Sequence, residues 1–247
     1  MAVVTGAGRG IGRAVARRLS AAGFRVGLTA RNRADLAATA DACAGPTLVV
    51  PADITDPAGV AEVFGAVEDR WGRVDVLVAN AGAGMSAKVQ ETSDEDWQRM
   101  LDLNLTAPFR CMRQVVPGMV ERGVGRIVVV ASVAAKVGEP YVAAYTASKH
   151  GVLGLVRSAA AELARAGVTV SAVCPGYVDT PMTAETIANI ADRTGRSRDE
   201  ARAVLERKQP TGRLVTVDEV ADAVWFCVNN PSVTGQGVDV DGGAVQS

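Results

Sequence analysis

Near its start the chain reads VVTGAGRGIGRAVARRL: a short β-branched run, a glycine-rich segment, then a helical pattern. Strand, tight turn and helix in immediate succession limit the possible folds more than any other stretch of this sequence. Gly6, Gly10 and Gly12 fit T-G-x-x-x-G-x-G. Glycines in such a turn let the backbone approach a pyrophosphate. The helix beyond them offers unpaired N–H groups and the positive end of its dipole. The strand–turn–helix setting is what makes the motif informative, and it predicts a nucleotide site.

The rest of the chain repeats the alternation. Strands are predicted at Ala2–Val4, Arg25–Ala30, Leu48–Pro51, Val74–Ala79, Arg126–Ala131, Thr169–Cys174 and Gly237–Val240. Helices are predicted at Ile11–Ala22, Arg33–Ala42, Pro57–Trp71, Asp94–Met119, Tyr145–Ala166 and Val217–Asn229. VDVLVAN and RIVVVAS are apolar on both faces, as strands of a helix-covered parallel sheet must be. The expectation is one α/β domain over residues 1–247, a doubly wound parallel sheet of about seven strands. Hydrophobic residues at 48% allow a large core, and aromatics at only 4% make it aliphatic. S/T-x-x-E boxes at Ser197/Glu200 and Thr216/Glu219 mark helix starts, and Ser93/Asp96 is a weaker version. Residues 179–212 break the alternation with charges and two short helical patterns. They read as a mobile lid over a site.

Bulk properties exclude several classes. With 26 Lys+Arg against 27 Asp+Glu, no nucleic-acid or membrane surface driven by net charge is expected. Cys43, Cys111, Cys174 and Cys227 form no CxxC, and His150 is the one histidine, so no metal site is expected. The cysteines read as reduced thiols of a cytoplasmic protein. No apolar run is long enough to span a bilayer, and the N-terminal residues lack signal-peptide character.

The second strand bears on which nucleotide is bound. NAD sites usually end this strand in an acidic residue that takes the ribose 2′-hydroxyl. Here the end reads LTARNR: Ala30 stands at the acidic position and Arg31 follows. A guanidinium binds a 2′-phosphate that a carboxylate would repel. With Arg9 in the glycine loop, this favours NADP(H) over NAD(H). Asp53, after the third strand, is either an adenine contact or a helix cap.

In AAYTASKHGVLG, Tyr145 and Lys149 are four apart and share a helix face, while His150 points about 100° away. A phenol supplies the proton that a developing alkoxide needs, and a nearby ammonium lowers its pKa. Ser132 ends the strand RIVVVAS, at the carboxyl edge where doubly wound sheets bind ligands, and can polarise a substrate oxygen. These features together resemble the short-chain dehydrogenase/reductase family in its single-domain, Rossmann-type branch. The resemblance rests on TGAGRGIG at 5–12, AD at 52–53, NAG at 80–82, LNLT at 103–106, Ser132, YTASK at 145–149 and PGYVDT at 175–180. One departure is Ala79, where the family often has a first Asn before NAG.

The resemblance implies roles residue by residue. Tyr145 is the acid/base. Lys149 lowers its pKa and holds the nicotinamide ribose, and Ser132 positions the carbonyl. Asn104 kinks its helix and anchors a proton-relay water. Cofactor contacts are implied for Thr5, Gly6, Gly8, Arg9, Gly10, Ile11, Gly12, Arg31, Asp53, Ile54, Asn80, Ala81, Gly82, Pro175, Gly176, Val178, Thr180 and Met182, besides Tyr145 and Lys149. The substrate meets Ser132, Val133, Val142, Tyr145 and Tyr177 in a pocket that Gly84, Met85, Val137 and Met182 extend. His150 is structural. The family also implies a homotetramer.

The chain looks most similar to 3-oxoacyl thioester reductases and aromatic polyketide ketoreductases. That implies a β-keto substrate on an acyl carrier protein or coenzyme A, received by Arg122, Arg126, Arg165, Arg207 and Lys208. Three alternatives stay open: an NAD-linked dehydrogenase of a hydroxyacyl-CoA, steroid, sugar or other secondary alcohol, a non-catalytic NADPH-binding regulator, and a purely structural subunit of a larger reductase.

Overall fold

The structure, a computed structural model, describes residues 1–246. Its strands are β1 (Ala2–Thr5), β2 (Val26–Thr29), β3 (Thr47–Val49), β4 (Val76–Ala79), β5 (Gly125–Val130), β6 (Val168–Pro175) and β7 (Gly237–Val240). All pair in parallel, in the order β3-β2-β1-β4-β5-β6-β7. The helices are α1 (Gly10–Ala21), α2 (Arg33–Asp41), α3 (Pro57–Trp71), α4 (Asp94–Leu101), α5 (Ala107–Glu121), α6 (Ala143–Leu163), α7 (Pro181–Thr194), α8 (Arg198–Arg207) and α9 (Val217–Asn229). The predicted strand edges hold to within two residues.

Alternating side chains explain the two-sided apolar strands. Val3, Leu77, Ile127 and Val129 pack on one face against α3, α5 and α6. Val4, Val76, Val78 and Val128 pack on the other against α1, α2 and α9. Chain order reverses between β1 and β4, so the crevice above their carboxyl ends is the switch point where such sheets bind ligands.

The helix predicted over 94–119 is three pieces. A π-helical turn, Asp102–Thr106, separates α4 from α5. Pro108 gives the reason: it has no N–H, and its ring clashes with the carbonyl four residues back, that of Asn104, in a regular helix. A widened turn relieves the clash. Both predicted capping boxes form in full, Ser197 with Glu200 and Thr216 with Glu219. Ser93 accepts from the Asp96 N–H without the reciprocal bond. Asp53 is not a helix cap, because α3 is capped by Asp56, whose carboxylate accepts from Ala58 N.

Residues 179–212 form α7, α8 and their flanks. Ile187, Ala201, Leu205 and Leu214 make a small core of their own, against which Tyr177 packs. A bridge between Val178 and Val215 closes the base of this excursion.

Candidate active site

The glycine loop is shaped for close approach. A Cβ at Gly12 would lie 2.2 Å from the Gly6 carbonyl oxygen, and one at Gly6 would lie 2.8 Å from Ala81 Cα. Gly6 and Gly10 adopt φ of 64° and 54°, a region that favours glycine. Asn32, Asp56, Ser93, Thr180, Ser197 and Thr216 each cap a helix start. The start of α1 at Arg9 carries no side-chain cap. Its first N–H groups are therefore free for a phosphate, and the cradle fits a dinucleotide.

The neighbouring loops are tied to that cradle. Thr5 Oγ1 accepts from the N–H groups of Asn80 and Ala81, both at 3.0 Å. Asn80 Nδ2 donates to the carbonyls of Thr5 at 2.9 Å and Gly6 at 3.3 Å. Across the cleft, Thr180 Cγ2 would lie 3.5 Å from a Cβ on Gly10. Arg9 is exposed and reaches Glu185 of α7 at 4.0 Å. Arg31 is exposed and close enough to Asp53 to help depress its carboxyl, after the stronger effect of hydrogen bonds from Thr55. Gly8 abuts α2: a Cβ there would lie 2.9 Å from Asp35 Cβ. Ile54 is buried in the core, which leaves only its backbone for a ligand.

Ser132, Tyr145 and Lys149 meet above the carboxyl end of β5. Ser132 Oγ accepts from Ala134 N at 3.1 Å. The buried Lys149 donates to the Val130 carbonyl at 3.0 Å, with Nζ 5.7 Å from the centre of the Tyr145 ring. Burial raises the Tyr145 phenol above its ordinary value. A hydrogen bond with Ser132 opposes the rise, and Tyr177, Glu139 and Cys174 add to it. Burial lowers Lys149 to about 8. The net shift of the Tyr145 phenol is upward, with Lys149 Nζ 5.7 Å from the ring centre.

Asn104 sits in the π turn and is buried. Its Oδ1 accepts from Ala83 N at 3.1 Å, and its Nδ2 donates to the Ala83 carbonyl at 3.0 Å and to Ser148 Oγ at 3.2 Å. A Cβ at Gly82 would lie 2.8 Å from Asn104 Oδ1 and 3.6 Å from Lys149 Nζ. The NAG loop, the π turn and the Tyr145–Lys149 face of α6 thus converge. His150 lies apart, exposed on α6, with Nδ1 3.0 Å from the Thr146 carbonyl.

Around the mouth, Val137 and Met182 are exposed, Val142 and Tyr177 are half-buried, and Val133 is a buried wall. Met182 Sδ is 4.0 Å from where a Cβ of Gly84 would be. Gly176 is kept small by Gln209, whose Oε1 would lie 2.4 Å from an added Cβ.

Several residues went unnoticed in the sequence. Gln209 is buried and clamps the turn after β6: Oε1 accepts from Tyr177 N at 3.0 Å, and Nε2 donates to the carbonyls of Tyr177 and Arg213. Its polar context, KQPTG, hides this. Glu139 pairs with Tyr177 and Lys208. Tyr141 takes φ of 69°, unusual for a non-glycine, and its carbonyl accepts from Ala87 N at 2.8 Å. Gly138 and Pro140 before it are the hints of a turn in the sequence.

The proposed carrier-binding arginines need correction. Arg122 caps the end of α5 and donates to the Val74 carbonyl, and Arg126 opens β5 and donates to the Gly125 and Gly167 carbonyls. Arg165 lies just before β6. All three belong to the amino ends of the strands, about 20 Å of sheet away from Ser132. Arg207 is exposed at the end of α8, whereas Lys208 is engaged by Glu139.

The cysteines are unpaired, with three buried; burial pushes Cys111 up to about 12 and Cys174 and Cys227 up to about 11. Among the described residues no three metal-ligating side chains gather, and no helix is long and apolar enough to cross a membrane.

Known proteins resemble this chain in sequence and fold. A sequence profile described as short chain dehydrogenase matches residues 1–191. The chain is 41% identical over 250 residues to a putative ketoacyl reductase of Streptomyces coelicolor, covering 98% of this chain and 96% of that one. It is 37% identical over 250 residues to a D-beta-hydroxybutyrate dehydrogenase of Rhizobium meliloti, covering 98% and 97%. The crystal structure of an actinorhodin polyketide ketoreductase variant with NADPH superposes at a TM-score of 0.94 with 40% identity, covering 98% and 96%.

Proposed function

The chain belongs to the short chain dehydrogenase family, an oxidoreductase acting on CH–OH and keto groups, and we propose that it reduces a β-ketoacyl thioester with NADPH. One observation carries the reading: Ser132, Tyr145 and Lys149 meet above the carboxyl end of β5, on the same edge of the sheet as the uncapped start of α1. The similarity to ketoacyl reductases supports a β-keto substrate. Arg31 and Arg9, with Ala30 where an acidic residue would favour NAD, support NADPH.

A bound reduced nicotinamide supplies the hydride. The chain's own residues do the rest. The Ser132 hydroxyl donates a hydrogen bond to the substrate carbonyl. As that oxygen gains charge, Tyr145 gives it a proton, completing the alcohol. Lys149 holds positive charge beside the resulting phenolate. Asn104 fixes the backbone under the site, and a water it anchors returns the proton. The glycine loop, Asn80–Gly82 and the turn from Pro175 to Thr180 hold the dinucleotide. Val133, Val142 and Tyr177 orient the ketone, with Gly84, Met85, Val137 and Met182 at the mouth.

Carrier-bound substrate docks at the lid end near Arg207. Exposed Phe109 and Val120 on α5 support a homotetramer packed through that helix and α6. Reduced thiols support a cytoplasmic location.

The test is the loss of nicotinamide absorbance with a short β-ketoacyl thioester, run with NADPH and NADH. Rapid loss with NADPH is expected, and Tyr145→Phe should abolish it while cofactor still binds. Turnover by Tyr145→Phe, or loss with NADH alone, overturns the reading. The 37% identity to a D-beta-hydroxybutyrate dehydrogenase favours a second reading, oxidation of a secondary alcohol. Reduction of NAD by a 3-hydroxy acid, with no activity on the thioester, would establish it.

A further inference from the structure

Three side chains from three separate segments meet at the rim of the site. Tyr177 lies in the turn after β6, Glu139 in the loop between Ser132 and Tyr145, and Lys208 just past the end of α8. Tyr177 Oη donates to Glu139 Oε2 at 2.9 Å. Lys208 Nζ donates to the same carboxylate oxygen and to Tyr177 Oη, both at 3.1 Å, and stands 5.2 Å from the centre of the Tyr177 ring. The charges cancel within the group, and the phenol both gives and takes a hydrogen bond.

We propose that Glu139, Tyr177 and Lys208 form a clasp between the lid and the catalytic loop, and that Glu139 and Lys208 are positioning residues for the ketone. They set the Tyr177 ring as the pocket wall facing Tyr145. The clasp links two parts that are otherwise built separately. On one side is the lid with its own small core of Ile187, Ala201, Leu205 and Leu214. On the other is the loop that runs from Ser132 past Tyr141, whose carbonyl is pinned to Ala87. Tyr177 joins both: its ring packs on the lid core and its hydroxyl reaches Glu139. The Gln209 amide holds its backbone, so the ring's remaining freedom is set by the hydroxyl's partners.

The cluster is also within electrostatic reach of the chemistry, because Tyr177 and Glu139 both act on the Tyr145 phenol. Lys208 and Glu139 remain partly open to water, with 45% and 26% of their side chains exposed. Half-exposed ion pairs break and re-form easily. That suits a clasp which opens for entry and closes over the substrate.

The kinetic half of the test rests on the reductase reading; the exchange half does not. Hydrogen exchange is measured on the full chain and on Lys208→Met, Glu139→Ala and Lys208→Arg. Amides of residues 182–207 should exchange about tenfold faster in the first two variants, with the glycine loop unchanged and Lys208→Arg near normal. The KM for a short β-ketoacyl thioester should rise about tenfold with kcat within about threefold, and selectivity should move toward bulkier cyclic ketones. The double variant Glu139→Ala/Lys208→Met should be no worse than either single change. Exchange identical to that of the unaltered chain overturns the clasp. Faster exchange with unchanged KM and selectivity overturns the positioning role. If the unaltered chain does not turn over the thioester, the function proposed above fails, and exchange alone decides the clasp.

Discussion

Lys149 is 5% exposed, and burial lowers its pKa from 10.5 to about 8. Between those values the unfolded chain holds the proton that the folded chain has lost, so stability rises with pH across that window. Below it the fold bears the full cost of a buried ammonium, about 3 kcal/mol. Lys149→Met is expected to raise Tm at pH 7 and to abolish turnover, which calorimetry and the nicotinamide assay check together. An unchanged or lower Tm would contradict that cost. Tyr145 is raised, so reduction keeps its proton donor through neutral pH. Oxidation of the alcohol needs the phenolate and should speed up as pH climbs. Glu139→Gln removes a negative charge that raises the phenol, while Ser132, Tyr177, Cys174 and Lys149 still face it. The midpoint of the oxidation profile should then move to lower pH, and an upward move would contradict the sign. The pairing of Tyr145 with Lys149 was legible from an i,i+4 spacing. The direction of the tyrosine shift was not, because burial is invisible in a spacing.

The π turn shows how an element departs from its periodicity. The apolar pattern over residues 94–119 continues through Asn104, and pattern alone reads one helix. Pro108 was visible, but its consequence depends on Asn104 having Ala83 and Ser148 to bond. Asn104→Ala should cost about 1–3 kcal/mol, since it removes the partner of the Ala83 N–H and carbonyl and a donor to the Ser148 hydroxyl. Urea unfolding measures this, and a neutral result would mean that the turn is held by Pro108 alone. Helix starts were more legible, because a capping box is contained within four residues. Thr216→Ala should cost about 1 kcal/mol through the lost cap of α9. The same locality made the glycine turn before α1 readable as a candidate phosphate site.

Across the molecule, the sheet and the proposed lid have separate cores. Leu77 is fully buried between β1 and β5, so Leu77→Ala should cost about 2–5 kcal/mol of global stability with KM little changed. Leu205, 2% exposed in the lid core, should show the reverse balance. Leu205→Ala should raise KM more than it lowers Tm, checked by kinetics beside calorimetry. Equal effects of the two changes would mean that lid and sheet unfold as one unit.

Local pattern was enough for the alternation of strands and helices, the glycine cradle and the Tyr145–Lys149 face, because each follows from residues near one another along the chain. Long-range packing settled the rest. It carried Arg122, Arg126 and Arg165 to the far edge of the sheet, although they read as site-facing cations. It buried Gln209 in a polar stretch and drew Glu139 and Lys208, 69 residues apart, onto one tyrosine. Charge and polarity travel with the residue. Which end of a strand a residue flanks, and which distant group desolvates or pairs with it, arise only when parallel strands line up their carboxyl ends in one plane.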